Sequence, residues 1–286
     1  MCCPPHELGT ALSTGAGFVV GSRYVDGGSL DKGWGRHRHW PRWQTEPMAG
    51  TLYARRAGDP ANPALILVHG AGAASRMWKK QLAGLSERYH VIAPDLPGFG
   101  RSPGPFSLRA CADAVADLIG ESQPVQLCGM SMGALVAAQV AAERPASVSR
   151  LILQGASIRP AERGRDVIRC YRSRPGWWYL KAVSDLHDRP TLLALVDAVE
   201  EADITDLLPR IAAPTLVLCG ARDKEALPDA QPMVDAIPRA RLVVVPHTGH
   251  LMPVTAAKVF NTIVDGFLTH ASPTTGSHSR GDGSMQ

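Results

Sequence analysis

The segment VQLCGMSMGALVAAQVAAERP, residues 125–145, constrains this chain more than any other. A short apolar run ends at Gly129, a lone serine, Ser131, stands between two glycines, and an alanine-rich run follows at once. The first run reads as a strand and the last as a helix, with no loop between them. Side chains at the flanking positions of so tight a turn would collide with strand and helix, hence glycine. The polar hydroxyl is then raised at the carboxyl end of the strand, over the helix N-terminus, where backbone N–H groups favour negative charge. The bland alternative is an N-cap serine in an ordinary strand–helix turn.

Other short apolar runs recur in the same rhythm. GTLYARRAG is a candidate first strand, followed by ALILVHG (64–70), HVIAPDLPG (90–98), SRLILQGAS (149–157), APTLVLCG (213–220) and ARLVVVP (240–246). Helical patterns separate them: SRMWKKQLAGLSERY, SLRACADAVADLIGES, a helix at about 229–237 and a last one at about 254–269. The strands are continuous leucine and β-branched runs rather than alternating ones. That implies burial on both faces, as in a parallel sheet covered by helices.

The α/β domain is expected over 47–270, within a chain of 286 residues. Residues 1–46 are glycine-rich, lack periodicity and read as a disordered extension, with Met48 a natural start for the domain. Residues 271–286 read as a disordered polar tail. The interval of about 158–210 breaks the strand–helix rhythm and is expected to form a small helical cap. Its arginines (Arg159, Arg163, Arg165, Arg169, Arg172, Arg174) precede its acids (Glu200, Glu201, Asp203, Asp206), two charged faces expected to pair in part.

A formal net charge of +4 with no long basic run gives no case for nucleic acid. No apolar stretch is long enough to span a membrane, and the N-terminus lacks a signal-peptide pattern. Six scattered cysteines without close metal-site spacing suit a reducing compartment, so a cytoplasmic location is expected. A homodimer is left open.

A serine hydroxyl needs a base to become a nucleophile. VVVPHTGHLMP supplies His247 and His250 after the last strand; His250, in a loop before a helix, is the better placed. The histidine needs a carboxylate to fix its tautomer. Asp223 lies just past the strand TLVLCG, nearer to it than Glu225, while the strand ending LILQGAS carries no acid. The order Ser131, Asp223, His250 is one known arrangement of such a triad. In LVHGAGAAS, small residues after a strand let the backbone approach a carbonyl. The N–H groups of Ala71 and Met132 are the natural oxyanion donors, and His69 is expected to hold that loop.

LVHGAGAAS, APDLPGFGRS, LCGMSMGALVAAQVA, PTLVLCGARDKEALP and VVVPHTGHLMP, in that order, resemble the α/β-hydrolase superfamily over roughly residues 48–270. DLPGFGRS is similar to the segment found in its single-cap members, where Asp95 would be a structural carboxylate. The resemblance implies a mostly parallel eight-stranded sheet flanked by helices with a small helical cap. It also implies the Ser131–His250–Asp223 triad, and neither metal nor organic cofactor. Ser131 stands where the superfamily's epoxide hydrolases and haloalkane dehalogenases carry aspartate, which argues against those activities.

The expected chemistry is acyl transfer on a small-molecule ester, thioester or lactone. Trp177, Trp178 and Tyr179 in the cap are candidates for an apolar substrate wall, with packing of the cap itself as the alternative. The same triad also serves carbon–carbon bond hydrolysis, lyase or perhydrolase chemistry, and a non-catalytic ligand-binding role is the remaining class.

Overall fold

The computed structural model describes residues 52–120, 123–159 and 184–269. Elements are numbered through these residues. Seven strands form one sheet in the order β1-β3-β2-β4-β5-β6-β7. They are β1 (Ala54–Ala57), β2 (Ala64–Val68), β3 (His90–Pro94), β4 (Val125–Met130), β5 (Val148–Gln154), β6 (Thr215–Gly220) and β7 (Ala240–Val245). Only β1 runs antiparallel, against β3; the remaining neighbours are parallel. The count is seven among the described residues rather than eight. The chain before Leu52, where a further antiparallel edge strand would have to lie, falls outside them.

The helices are α1 (Lys79–Leu85), α2 (Leu108–Ile119), α3 (Met132–Glu143), α4 (Arg189–Glu200), α5 (Leu227–Ala236), α6 (Met252–Thr255) and α7 (Ala257–Thr269). Two apolar layers result. One holds α2, α3 and α4 residues such as Val115, Val136 and Leu192 against Ile66, Leu127 and Leu153. The other holds Trp78, Phe260 and Phe267 against Leu65, Cys128 and Leu216. The alternating sheet residues that feed the two layers explain why the central strands read as unbroken apolar runs. Alanine makes α3 thin: apolar nearly all round, it is buried between the sheet and α2.

Two readings shift. The first helix opens as a 3₁₀ turn over Ser75–Trp78 and ends at Leu85; at its start the Ser75 N–H, which has no acceptor within the helix, donates to the Asp95 carboxylate at 2.6 Å. The run ARLVVV is an edge strand, half-exposed along most of its length. In the 158–210 interval, α4 is capped by Asp188, whose side chain accepts the Thr191 N–H. Arg159 pairs with Asp203 at 2.7 Å, joining the two halves of that charged segment. Residues 160–183, with Trp177, Trp178 and Tyr179, lie outside the described residues, as do 1–51 and 270–286. Among the described residues no helix is long and apolar enough to cross a membrane.

Candidate active site

The parallel strands end on one edge of the sheet, and the loops that leave that edge carry the residues of interest. Ser131 sits between β4 and α3 with φ 55° and ψ −122°, a region a non-glycine residue seldom occupies. Its N–H donates to the Gln154 carbonyl at 2.8 Å, and its own carbonyl accepts from Ala134 at 2.8 Å. The hydroxyl does not cap the helix. Ser107 shows what a capping serine looks like here: extended backbone, with the side chain accepting the Ala110 N–H at 3.0 Å. Ser131 has neither feature, so its strained backbone and uncommitted hydroxyl need another reason.

The glycines beside it are places of contact. A Cβ on Gly129 would fall on the carbonyl of Gly133, and one on Gly133 would fall on the carbonyls of Val68 and His69. The first turn of α3 therefore lies directly against the end of β2. A Cβ on Gly70 would stand 3.3 Å from the Cβ of Ser131, so the 70–72 loop runs alongside the serine. Among the described residues no acceptor takes the Ala71 N–H. The Met132 N–H belongs to the first turn of α3, where helix geometry provides no acceptor.

His69 and Asp95 hold this loop from beneath. Fully buried His69 donates through Nδ1 to the Gly70 carbonyl at 2.9 Å and accepts the Leu96 N–H at Nε2, also 2.9 Å. Burial pushes its pKa below the ordinary value, consistent with a neutral imidazole that donates at one nitrogen and accepts at the other. Asp95 accepts from the N–H groups of Ser75 and Arg101. From the 158–210 interval, Asp185 donates its N–H to the Gly72 carbonyl at 3.0 Å and pairs with Arg76 at 2.8 Å.

The second half of the site comes from the loops after β6 and β7, which are bonded together: Ala221 N–H to Val245 and Arg222 N–H to Thr248. Asp223 is 1 % exposed and His250 8 %. His250 Nδ1 donates to Asp223 Oδ2 at 2.7 Å, leaving Nε2 as the basic nitrogen. His247 instead sits exposed in the turn with φ 60°, and the carboxylate that His250 meets is that of Asp223.

The end of β5, set aside in the sequence because it holds no acid, turns out to underlie both halves. Gln154, in register with Met130 and Leu218, gives its carbonyl to Ser131 and donates its side-chain Nε2 to the His250 carbonyl at 3.0 Å. Gly155 has φ 58°, and a Cβ there would lie 3.1 Å from His250 Nδ1 and 3.2 Å from Asp223 Oδ2. The one signal available in the sequence was the glutamine itself, a lone polar residue closing an apolar run.

The cysteines of the central strands offer no thiolate. Burial pushes the Cys219 thiol up to about 12 and raises that of Cys128 as well, so both stay protonated. Among the described residues no cluster of His, Cys, Asp and Glu could hold a metal ion.

A sequence model of the alpha/beta hydrolase family matches residues 65–262. A protein of Variovorax paradoxus named "Putative carbamate hydrolase RutD" is 30% identical, over 75% of this chain and 95% of its own. The structure of a thermophilic esterase from Thermogutta terrifontis, with malate bound, is 28% identical with a TM-score of 0.64, over 79% of this chain and 96% of that one. The enol-lactonase of Burkholderia xenovorans, 22% identical with a TM-score of 0.68 over 77% of this chain and 96% of its own, shares the fold.

Proposed function

The chain belongs to the alpha/beta hydrolase family, and from that premise we propose that it is a serine hydrolase acting on a small ester-type carbonyl, with Ser131 as nucleophile. The observation that carries this reading is the buried 2.7 Å pair of His250 and Asp223 in a site whose serine is strained and does not cap its helix.

Asp223 keeps the His250 proton on Nδ1, so Nε2 is the base. As Ser131 Oγ attacks the carbonyl carbon, its proton passes to Nε2 and the carbonyl oxygen takes the negative charge. The N–H groups of Ala71 and Met132 receive that oxyanion, pre-oriented by the loop that His69 holds. Collapse breaks the bond to the leaving oxygen or sulfur, which takes the proton from His250. Water, deprotonated by His250, then releases the acid and restores Ser131. Carboxylic esters, thioesters and lactones all meet this requirement. Trp177, Trp178 and Tyr179 are retained as the proposed apolar wall of the pocket.

A carbamate is the second reading, favoured by the 30% identity to the Variovorax paradoxus protein; its carbonyl would be attacked in the same way. A cytoplasmic location is proposed from the free, buried thiols of Cys111, Cys128 and Cys219.

The test is labelling with a fluorophosphonate probe. Wild type should react and Ser131→Ala should not. A folded wild type that stays unlabelled, or a Ser131→Ala protein with full esterase activity, removes the reading. A panel of esters, lactones, carbamates and β-diketones then separates hydrolysis of acyl bonds from carbon–carbon cleavage.

A further inference from the structure

We propose that Gln154 is the positioning residue for the general base: its side-chain amide fixes the backbone of His250 while its own backbone fixes Ser131. The proposal deepens the serine-hydrolase reading and rests on it for the role of His250.

Gln154 closes β5, the strand lying between the one that delivers Ser131 and the one that delivers Asp223. Its carbonyl accepts the Ser131 N–H at 2.8 Å, a bond any residue could make. Its Nε2 donates to the His250 carbonyl at 3.0 Å, a bond that needs this side chain. The His250 loop leaves β7, at the sheet's edge, and arrives over β5, two strands away. The Nδ1–Asp223 bond orients the ring, and the amide bond fixes the backbone the ring hangs from.

The other end of the amide strengthens the case. Gln154 is fully buried, and among the described residues its Oε1 has no hydrogen-bond partner. A methionine or leucine would fill this apolar strand end without burying an unsatisfied oxygen, which is unfavourable. The glutamine therefore makes physical sense through its donor. With a backbone carbonyl as the partner, that donor end must face His250, so the amide orientation is decided by chemistry.

Gln154→Met isolates the effect. It conserves length and approximate volume, removes the donor, and leaves the backbone bond to Ser131 in place. The full-length variant should melt close to wild type. With p-nitrophenyl acetate, kcat should fall about ten- to a hundredfold with KM little changed, because a displaced base lowers the reactive fraction rather than binding. The proton shared by His250 Nδ1 and Asp223 supplies a second readout that does not depend on turnover. It should give a downfield proton resonance, absent in His250→Gln, that is broadened or shifted in Gln154→Met. A folded Gln154→Met protein with wild-type kcat, or with an unaltered resonance, overturns the proposal. Recording the same resonance in Ser131→Ala separates the two ideas. If that variant still turns over ester, the serine mechanism falls, while the resonance still reports whether Gln154 holds His250.

Discussion

The two shoulders of the site are built by different means. On the Ser131 side, position comes from backbone pressed against backbone: Gly129 under Gly133, Gly133 on the ends of Val68 and His69, Gly70 beside Ser131. On the His250 side, position comes from side-chain hydrogen bonds across separate loops: His250 to Asp223 and Gln154 to His250. Steric construction tolerates almost no substitution but needs no particular chemistry. Hydrogen-bonded construction tolerates changes in bulk better and fails when a donor or acceptor is removed. Mutation should therefore damage folding on the first shoulder and turnover on the second, and the serine itself is the point where both meet.

The largest effect is expected at the groups proposed to react. Ser131→Ala and His250→Ala should each lower kcat/KM by about 10³-fold or more, measured on an ester substrate, with melting temperatures near that of wild type. Ser131→Ala leaves the backbone strain in place, because the strain resides in φ and not in the side chain. Loss of fold in either variant would blur the distinction between shoulders.

Next comes Gly133→Ala. The new methyl group would meet two carbonyl oxygens of the β2 end that cannot rotate away. Overpacking against backbone should destabilise by about 3 kcal/mol. That corresponds to a fall of about 6–12 °C in melting temperature for a domain of this size. A Gly133→Ala protein that melts like wild type would mean that the elbow is looser than the contacts indicate.

Gly155→Ala is the counterpart on the other shoulder. The methyl group would press on His250 and Asp223 and occupy a left-handed backbone position. The backbone penalty should be about 1–2 kcal/mol, yet turnover should fall by about ten- to a hundredfold as the imidazole is displaced. The ratio of activity lost to stability lost, set against that of Gly133→Ala, is the number that sharpens the comparison.

The same division governs what could be read from the sequence. The Ser131 shoulder is local: Gly129, Ser131 and Gly133 fall within five residues, so sterics leave a visible pattern next to a strand and a helix. Asp223 and His250 were legible at one remove, because each follows a strand that must end on the same edge of a parallel sheet. Gln154 and Gly155 were not. Their importance depends on β5 being the strand between β4 and β6, and a side chain bonding to a distant carbonyl leaves no spacing to detect. The edge position of β7 was hidden for a related reason. Its valine run looks like a central strand, whereas Arg241 lies over the ring of Phe267 at 5.0 Å and half of the strand meets solvent. Composition reports β-propensity but not which neighbours a strand acquires.

The smallest effect expected tests the exception, since His69 belongs to the sterically built shoulder yet works through hydrogen bonds. Burial lowers its pKa in the folded protein from the ordinary 6.5. The unfolded chain therefore binds the proton more readily, and the stability associated with neutral His69 is present above pH 6.5 and lost as pH falls below it. The slope for one proton is at most about 1.4 kcal/mol per pH unit, or about 3–6 °C in melting temperature. His90, also lowered by burial, acts in the same direction and is common to both proteins being compared. In His69→Asn the side-chain amide can still donate to the Gly70 carbonyl, but the Leu96 N–H loses its acceptor. The variant should thus start about 1–2 kcal/mol less stable at neutral pH. Melts at pH 7.5 and 5.5 should show wild type and variant converging on acidification, because only wild type has the fully buried His69 imidazole to charge. Parallel curves would assign the acid sensitivity elsewhere and leave the loop that His69 holds as rigid, and as indifferent to chemistry, as the glycine contacts beside it.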